Sequence, residues 1–228
     1  MRSSGDGRGE EKVNARSNRS ALRDYIEAIV FALVIALVIK AFIVQTFKVD
    51  SGSMIPTLVA GDQILVNKFT YGTRIPFSDV KLFPAREPKR GEIVVFEYPN
   101  NRRVHYIKRL IGLPRDVIEI RDKLLYVNGE RYEVESAHYD YPTIIPGIAV
   151  HRDNLDAVTV PADSYFVMGD NRDNSSDSRS WGYVKGSELV GNAVIIYWSW
   201  DISSGGFFGR IKNIRWSRLG DVLLKGRK

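Results

Sequence analysis

The stretch “VHYIKRLIGL”, Val104–Leu113, carries the pattern that decides the fold. It is short, it is rich in β-branched and aromatic residues, and it lacks the spacing of an amphipathic helix, so it predicts a β-strand. Similar runs occur along much of the chain: “DQILVNKF”, “GEIVVFEY”, “DVIEIRD”, “KLLYVNGERY”, “SYFVMGD” and “NAVIIYWSW”. Many short strands with few helical stretches predict a mostly β, antiparallel domain that folds as a barrel or a sandwich. Asn128 and Gly129 predict a hairpin turn within one run, because both residues tolerate positive φ.

The segments between these runs read as loops. Thr70–Arg90 contains prolines and little periodicity, and Ser136–Asp156 has a similar character, so both are predicted to be surface loops or extensions. The C-terminal stretch “IKNIRWSRLGDVLLKGRK” is compatible with an amphipathic helix or with a last edge strand.

A long apolar segment precedes the β-rich part. “YIEAIVFALVIALVIKAFIVQTF”, residues 25–47, has about the length of roughly 20 residues that a helix needs to cross a bilayer. Lys40 lies in its last third, where its ammonium can reach the membrane interface. We therefore predict a transmembrane helix over residues 25–47. A buried core helix and a cleaved signal peptide are the alternatives, although the run is longer than the apolar region of a signal peptide.

The flanks of this segment predict its orientation. Residues 1–24 are rich in Arg, Lys, Ser and Gly and poor in apolar residues, which is typical of a disordered, basic cytoplasmic tail. Under the positive-inside rule the N-terminus stays inside, and residues 48–228 are exported as the β-rich domain.

Composition excludes several kinds of site. The chain has 228 residues, a formal net charge of +6 and no cysteine, so it forms no disulfide and has no thiolate nucleophile. The positive charge is spread along the chain without a DNA-binding motif, so we expect no nucleic-acid partner. The histidines lack paired metal spacing, and the acidic run Gly169–Gly182 lacks the glycine and glutamate of a calcium loop. We therefore expect no metal and no cofactor.

A candidate nucleophile lies directly after the apolar segment. In “KVDSGSMIPTL”, residues 48–58, Gly52 allows a sharp turn and Pro56 stiffens its exit, which would present the hydroxyl and the N–H of Ser53 together. No GxSxG elbow is present, so the remaining option for an activated serine is a base other than histidine, such as lysine. A plain turn between two segments explains the same residues on composition alone.

Lys108 is the lysine best suited to act as that base. A lysine base must be neutral, and only burial in apolar surroundings readily lowers its pKa by the roughly 3 units required. Lys108 lies in a strand-like run that shares one face with Tyr106, Leu110 and Gly112, whereas most other lysines lie in polar turns. An outward-facing lysine on a basic strand is the alternative.

A family resemblance connects these residues. “SGSMIPTL”, “GDQILVNKFTYG”, “RGEIVVF”, “YIKRLIGLPRD” and “GDNRDNSSDSRSWG” occur in the order of type I signal peptidases, the bacterial leader peptidases, and the likeness covers most of residues 47–198. The resemblance implies the fold of that family and a membrane-bound serine endopeptidase that removes signal peptides after a small-x-small motif. It also implies a single-pass protein of the bacterial cytoplasmic membrane whose catalytic domain, residues 48–228, lies on the outer face.

The same resemblance assigns the catalytic groups. It implies that Ser53 is the nucleophile and Lys108 the general base of a Ser/Lys dyad that forms an acyl-enzyme. It implies that the Ser51 hydroxyl and the Ser53 N–H form the oxyanion hole, and that the Ser175 hydroxyl orients the lysine amine.

The resemblance also names residues around the dyad. It implies that Asp177 and Arg179 form an ion pair that shapes the site, which agrees with the electrostatics, since a free carboxylate beside Lys108 would raise the pKa of the base. It implies that the substrate-binding pocket involves Val49, Met54, Leu58, Tyr106 and Ile107. Many family members have proline before the Ser-Gly-Ser triplet, whereas this chain has Asp50, which adds a negative charge near the cleft.

The expected partners are the signal peptides of secretory preproteins and the lipid bilayer, and the sequence makes no prediction of oligomeric state. Two other classes of protein compete with this interpretation. Self-cleaving repressors of the SOS response share a Ser/Lys dyad and a related β fold, but a helix-turn-helix should precede their dyad, and here the apolar segment does. A membrane-anchored β domain without activity would not need Ser53, Lys108 and Ser175 together.

Overall fold

The computed structural model describes five parts of the chain: residues 23–35, 44–71, 86–145, 151–202 and 213–223. The chain divides into two compact units, Met1–Ile43 and Val44–Lys228. The predicted cytoplasmic tail falls almost wholly on residues 1–22, which lie outside the described residues.

The described part of the first unit is a helix, α1, over residues 23–35. Arg23 and Glu27, one turn apart, form an ion pair of 3.1 Å between Nε and Oε1. Apolar side chains are exposed along the helix, including Tyr25 and Phe31 at 69% and 68%. No helix among the described residues is both long and apolar enough to cross a membrane. Residues 36–43 of the expected membrane segment lie outside the described part of the chain.

The predicted end of the membrane helix, Phe47, is wrong. Val44–Lys48 form strand β1, which pairs antiparallel with a later strand and sets Phe47 opposite Ile64. The Phe47 side chain packs against a cluster of buried core residues. Residues 44–47 are therefore part of the β domain, because pairing and packing with a distant segment outweigh their continuity with the apolar run.

The second unit contains a seven-stranded antiparallel sheet with the strand order β1-β2-β11-β3-β4-β9-β10. Its remaining strands are β2 (Asp62–Asn67), β3 (Ile93–Tyr98), β4 (Asn101–Gly112), β9 (Ser164–Met168), β10 (Val184–Lys185) and β11 (Leu189–Ser199). The mostly β, antiparallel fold predicted from the sequence is confirmed.

A second, four-stranded antiparallel sheet has the order β7-β6-β5-β8. Its strands are β5 (Val117–Arg121), β6 (Leu124–Val127), β7 (Glu130–Arg131) and β8 (Leu155–Thr159). Asn128 and Gly129 connect β6 to β7 with φ of 54° and 83°. The predicted hairpin is confirmed, because both residues adopt the left-handed backbone that the turn requires.

Among the described residues of the second unit, helical structure is limited to short pieces. These are the 3₁₀ turns Phe69–Tyr71, Gly186–Glu188 and Trp216–Arg218, and the one-turn helix α2, Ser178–Trp181. Neither form expected for the C-terminal stretch occurs over residues 213–223, where the chain makes isolated bridges, such as Val222 to Ile195, beside β11. The predicted loop over residues 136–156 ends at the start of β8, and residues 72–85 and 146–150 of the two loops lie outside the described residues.

One core cluster joins the two sheets. Ile111, Phe166 and Met168 from the large sheet pack against Ile118 and Ile120 from the small one. Their close approach requires a glycine on β4, because a Cβ at Gly112 would lie 2.9 Å from Cβ of Phe166 and 3.0 Å from Cδ1 of Ile118. The end of β4 is thereby packed against the small sheet, and the preceding part of the strand, which pairs with β3, carries Lys108.

Candidate active site

A cleft of about 820 Å³ lies beside β4. One wall is the segment after β1, residues 48–55, and the other is residues 104–108 of β4. Four residues from later in the chain complete the lining: Asp140, Asn171, Asn174 and Ser176. The cleft therefore joins four stretches of the chain that are separated in sequence.

Ser53 and Lys108 meet in this cleft. Nζ of Lys108 lies 2.6 Å from Oγ of Ser53, although the two residues are 55 positions apart. Both are buried, with exposures of 4% for Lys108 and 8% for Ser53. The contact is a short hydrogen bond between an amine and a hydroxyl, the geometry needed to transfer a proton between them.

Burial gives Lys108 the properties of a base near neutral pH. Its strand position is opposite Val94, which is fully buried, and the following strand residue on the same face, Leu110, is fully buried as well. Desolvation lowers the pKa of Lys108 from 10.5 to about 8, even though the charge of Asp177 acts in the opposite direction. The positive charge of Arg179 also lowers this pKa.

The surroundings of Ser53 hold its backbone in place. Its carbonyl oxygen accepts a hydrogen bond of 3.1 Å from the N–H of Asn171. Oγ of Ser51 lies 3.2 Å from Oγ of Ser53. Within the described residues the Ser53 N–H donates no hydrogen bond, so it can serve as a donor to a bound molecule.

Ser175 is close to this pair but is not bonded to Lys108. Its Oγ is buried and has no hydrogen-bond partner among the described residues. The expected hydrogen bond to the lysine amine is therefore absent from this structure, in which the amine contacts Ser53 instead.

Gly169 is a residue of this site that the sequence interpretation missed. A Cβ at this position would lie 2.3 Å from Oγ of Ser175 and 2.4 Å from the carbonyl oxygen of Ser53. Only a residue without a side chain lets the acidic run approach the serine this closely. The glycine at the junction between the predicted strand “SYFVMGD” and the acidic run was the available signal.

The expected ion pair between Asp177 and Arg179 is present and buried. Nε and Nη2 of Arg179 bind the two carboxylate oxygens, each at 2.8 Å, and the Gly169 N–H donates to Oδ2 at 2.9 Å. Burial alone would raise the pKa of the Asp177 carboxyl, but the charge and hydrogen bonds of Arg179 hold it below its ordinary value. The carboxylate near Lys108 is thus engaged by another cation.

A second buried ion pair, Arg109 with Asp170, was not predicted. Nε and Nη2 of Arg109 bind the Asp170 carboxylate at 2.7 and 2.6 Å, and the Thr57 hydroxyl donates to the same carboxylate at 2.5 Å. These contacts connect β4, the acidic run and the segment after Ser53. The ion pair and the Thr57 hydrogen bond therefore hold together the three parts of the chain that meet around Ser53 and Lys108.

Four of the five predicted substrate-contacting residues line the cleft: Val49, Met54, Tyr106 and Ile107. Leu58 does not. It is fully buried in the core cluster around Ile64, and its N–H bonds to the Met54 carbonyl at 2.9 Å. Leu58 packs in the same core cluster as Val49 and Met54, directly beneath the cleft lining, and its place in the substrate-binding pocket stays a prediction. Asp50 lies on the cleft wall and forms a 2.5 Å ion pair with Lys48.

Comparison with known proteins gives a consistent result. Signal peptidase I of Pseudomonas aeruginosa is 38% identical over 220 residues, covering 83% of this chain and 76% of that protein. Signal peptidase I of Rickettsia typhi is 35% identical over 226 residues, covering 83% of this chain and 85% of that protein. A solved signal peptidase I from Enterococcus faecalis matches 47% of this chain and 97% of its own, with 33% identity and a TM-score of 0.38.

The family comparison covers most of the chain. Residues 22–198 match the family model described as signal peptidase, peptidase S26. The match begins before the β domain and includes Ser53, Lys108 and both buried ion pairs. This chain belongs to the signal peptidase family, peptidase S26, and is a serine peptidase.

Proposed function

We propose that this chain is a membrane-bound endopeptidase that removes signal peptides from exported preproteins after a small-x-small motif. The observation that carries the proposal is the 2.6 Å contact between Nζ of Lys108 and Oγ of Ser53. The amine is buried, and its pKa is lowered to about 8, so a substantial fraction is neutral near physiological pH. The family membership and the names of the relatives give the substrate class.

The reaction follows the order of a serine acyl transfer. Neutral Lys108 takes the proton of the Ser53 hydroxyl while Oγ attacks the scissile carbonyl carbon. The tetrahedral intermediate collapses when the protonated amine gives its proton to the leaving nitrogen, which breaks the peptide bond and leaves an acyl-enzyme. Lys108 then takes a proton from water, whose oxygen attacks the ester, and Ser53 regains its proton as the signal peptide departs.

The oxyanion of each tetrahedral intermediate requires donors aimed at its position. The Ser53 N–H is one, since it donates no hydrogen bond within the described residues. The Ser51 hydroxyl is the other, and its Oγ stands 3.2 Å from the nucleophile. Ser175, whose Oγ is buried without a partner among the described residues, is proposed to orient the lysine amine during the reaction, and Asp177 and Arg179 are proposed to maintain the shape of the site.

We propose that the substrate binds as an extra strand along β4. Pairing of β4 with β9 begins only at Arg109. Residues 105–108 pair with β3 along one edge and also line the cleft. An extended peptide can therefore bind the free backbone groups, while pockets lined by Met54 and Ile107 test the size of alternate side chains.

We also propose a single-pass topology in the bacterial cytoplasmic membrane, with the N-terminus inside and the β domain, which begins with β1 at Val44, on the outer face. The apolar sequence of residues 25–47 and the basic residues before it support this orientation. Ser53 follows the apolar run by only a few residues, which suits cleavage of a substrate whose own apolar region is still in lipid.

The experiment that tests the function uses the full chain in detergent and a purified preprotein. We expect one new N-terminus, directly after the small-x-small motif, identified by mass spectrometry. The matched control is the same preprotein with the small residue before the cut replaced by Phe, which should be cleaved much more slowly because the pocket is shallow. Cleavage at unrelated sites, or no cleavage, would contradict the proposal.

The pH dependence should report the base. Only neutral Lys108 can accept the serine proton, so kcat/KM should rise about tenfold per pH unit below the pKa and become level above about 8. The value of kcat/KM rises with pH because protonation of Lys108 at low pH removes the neutral amine that acts as the base. Steady-state cleavage of a peptide without titratable groups between pH 6 and 10 measures the profile. A profile that is flat through pH 8 would argue against a lysine base.

Gly169→Ala should reduce kcat/KM roughly 10²-fold. The added Cβ would overlap Oγ of Ser175 and the carbonyl oxygen of Ser53, so the nucleophile must move relative to Lys108. The matched control is Gly186→Ala, where the nearest atom is 3.4 Å away and contact is ordinary. The measurement is the rate of peptide cleavage by the two variants at equal concentrations of folded protein. Equal rates for both variants would show that Gly169 does not position the nucleophile.

A further inference from the structure

One carboxylate on the cleft wall has no part in the mechanism proposed above. Asp140 lines the cleft together with Asn171, Asn174 and Ser176. It comes from the segment that follows β7 and belongs to neither of the two walls along which the substrate strand is proposed to run.

The Asp140 carboxylate is held in one orientation. Nε2 of His138 lies 2.9 Å from Oδ1, and the Asn174 side-chain amide donates to Oδ2. Hydrogen bonding by the Asn171 side chain, with further contributions from His138 and Asn174, keeps the pKa of Asp140 below its ordinary value. Asp140 is therefore ionised throughout the pH range in which a lysine base works.

The segment that carries Asp140 is fixed on both sides. On one side, the His138 N–H donates to the Asp170 carbonyl at 2.7 Å. On the other, the Tyr141 N–H donates to Oδ2 of Asp173 at 2.8 Å, and Lys123 bridges Asp173 and the Tyr141 carbonyl at 2.9 and 2.8 Å. These contacts fasten the Asp140 segment to the same acidic run that supports Ser53.

The negative charge of Asp140 has no lysine or arginine partner among the described residues, unlike the charges of other carboxylates around the cleft. Other carboxylates around the cleft each have a Lys or Arg partner: Asp50 with Lys48, Asp170 with Arg109 and Asp177 with Arg179. Among the described residues, the only ion pair of Asp140 is with His138. The other residues of this wall, Asn171, Asn174 and Ser176, are uncharged, so the Asp140 carboxylate gives the wall a negative charge toward whatever occupies the cleft.

The position of this wall indicates which part of a substrate meets it. Residues before the cut are proposed to lie between β4 and residues 48–52. Asn171, whose N–H binds the Ser53 carbonyl, connects the nucleophile to the Asp140 wall. The part of the substrate after the scissile bond must extend from Ser53 in a different direction from the residues before the cut. The remaining part of the cleft lining is the wall formed by Asp140, Asn171, Asn174 and Ser176.

We infer that Asp140 is a specificity determinant that recognises a lysine or arginine side chain among the first residues after the cut. The inference rests on the proposed function and names a feature of its substrates. It predicts that the mature part of the preprotein, and not only the signal peptide, contributes to selection by this enzyme.

The test uses peptides that share one small-x-small signal and differ only after the cut, with Lys or Gln at the first, second or third position. At low salt the wild-type enzyme should show a kcat/KM ratio of Lys to Gln of roughly two- to fivefold at one or more of these positions. The ratio should fall toward one at high salt, because screening weakens an exposed pair. In Asp140→Asn, which keeps the shape and an acceptor for Asn174, the ratio should be close to one at low salt too.

Two variants separate charge from shape. Asp140→Glu keeps the negative charge and should keep a preference for Lys. Asp50→Asn, on the opposite wall, should leave the ratio at its wild-type value. A wild-type ratio of one at all three positions would overturn the inference, as would a preference that persists in Asp140→Asn. Failure of wild-type enzyme to cleave the Gln peptides would instead refute the proposed function itself.

Discussion

Replacing Ser53 with alanine should reduce kcat/KM for preprotein cleavage by about 10⁴-fold or more, to the background of the assay. The substitution removes one oxygen and with it the acyl-enzyme, so no alternative group at the site can take over the attack. Lys108 alone cannot activate water in the same geometry, because its amine is placed 2.6 Å from the hydroxyl that would be lost. The measurement is the initial rate of product formation with a purified preprotein, together with intact-protein mass spectrometry for the acyl adduct.

Ser51→Ala is the matched control for this prediction. It removes an equivalent hydroxyl two residues away, whose Oγ is 3.2 Å from that of Ser53. If Ser51 only donates to the oxyanion, its loss should cost roughly 10²- to 10³-fold and leave the acyl-enzyme detectable. A Ser53→Ala enzyme that retains more activity than Ser51→Ala would show that the nucleophile has been assigned to the wrong serine.

The strands could be predicted because each is encoded by a contiguous run. “VHYIKRLIGL” lies within β4 except for its last residue, Leu113, and Asn128-Gly129 adopts the expected turn. β1 could not be found in this way, since residues 44–47 directly follow the apolar run and were included in the predicted membrane segment. Only pairing with β2 defines it as a strand, and that information lies in a different part of the chain.

The site was predictable to the extent that its residues lie in recognisable motifs. Local sequence alone left Ser53 and Lys108 as two candidates among several, and the family resemblance joined them. The Arg109–Asp170 pair escaped notice because its members are 61 positions apart and neither is unusual in its own segment. Leu58 was assigned to the pocket by the family resemblance alone, since nothing in its own segment shows that it packs beside Val49 and Met54 in the folded chain.

Replacing Lys108 with methionine should reduce kcat/KM by about 10³-fold or more, while the protein stays folded. Methionine fills most of the buried space and removes the amine that accepts the serine proton. Folding should not suffer, since burial of an ammonium is unfavourable, as the lowering of the Lys108 pKa to about 8 indicates. Thermal unfolding of the variant is the measurement that separates loss of catalysis from loss of structure.

Lys108→Arg and Lys185→Met complete the experiment. Arginine keeps the positive charge and the length of the side chain but cannot become neutral, so it should be as inactive as methionine. Lys185 is exposed on β10, away from the cleft lining, and its replacement should leave the rate close to wild type. The residual activity of Lys108→Met should also lose the rise in rate below pH 8. A variant that lacks the amine but keeps both that rise and a wild-type rate would require a different base, and the short contact between Lys108 and Ser53 would then be structural only.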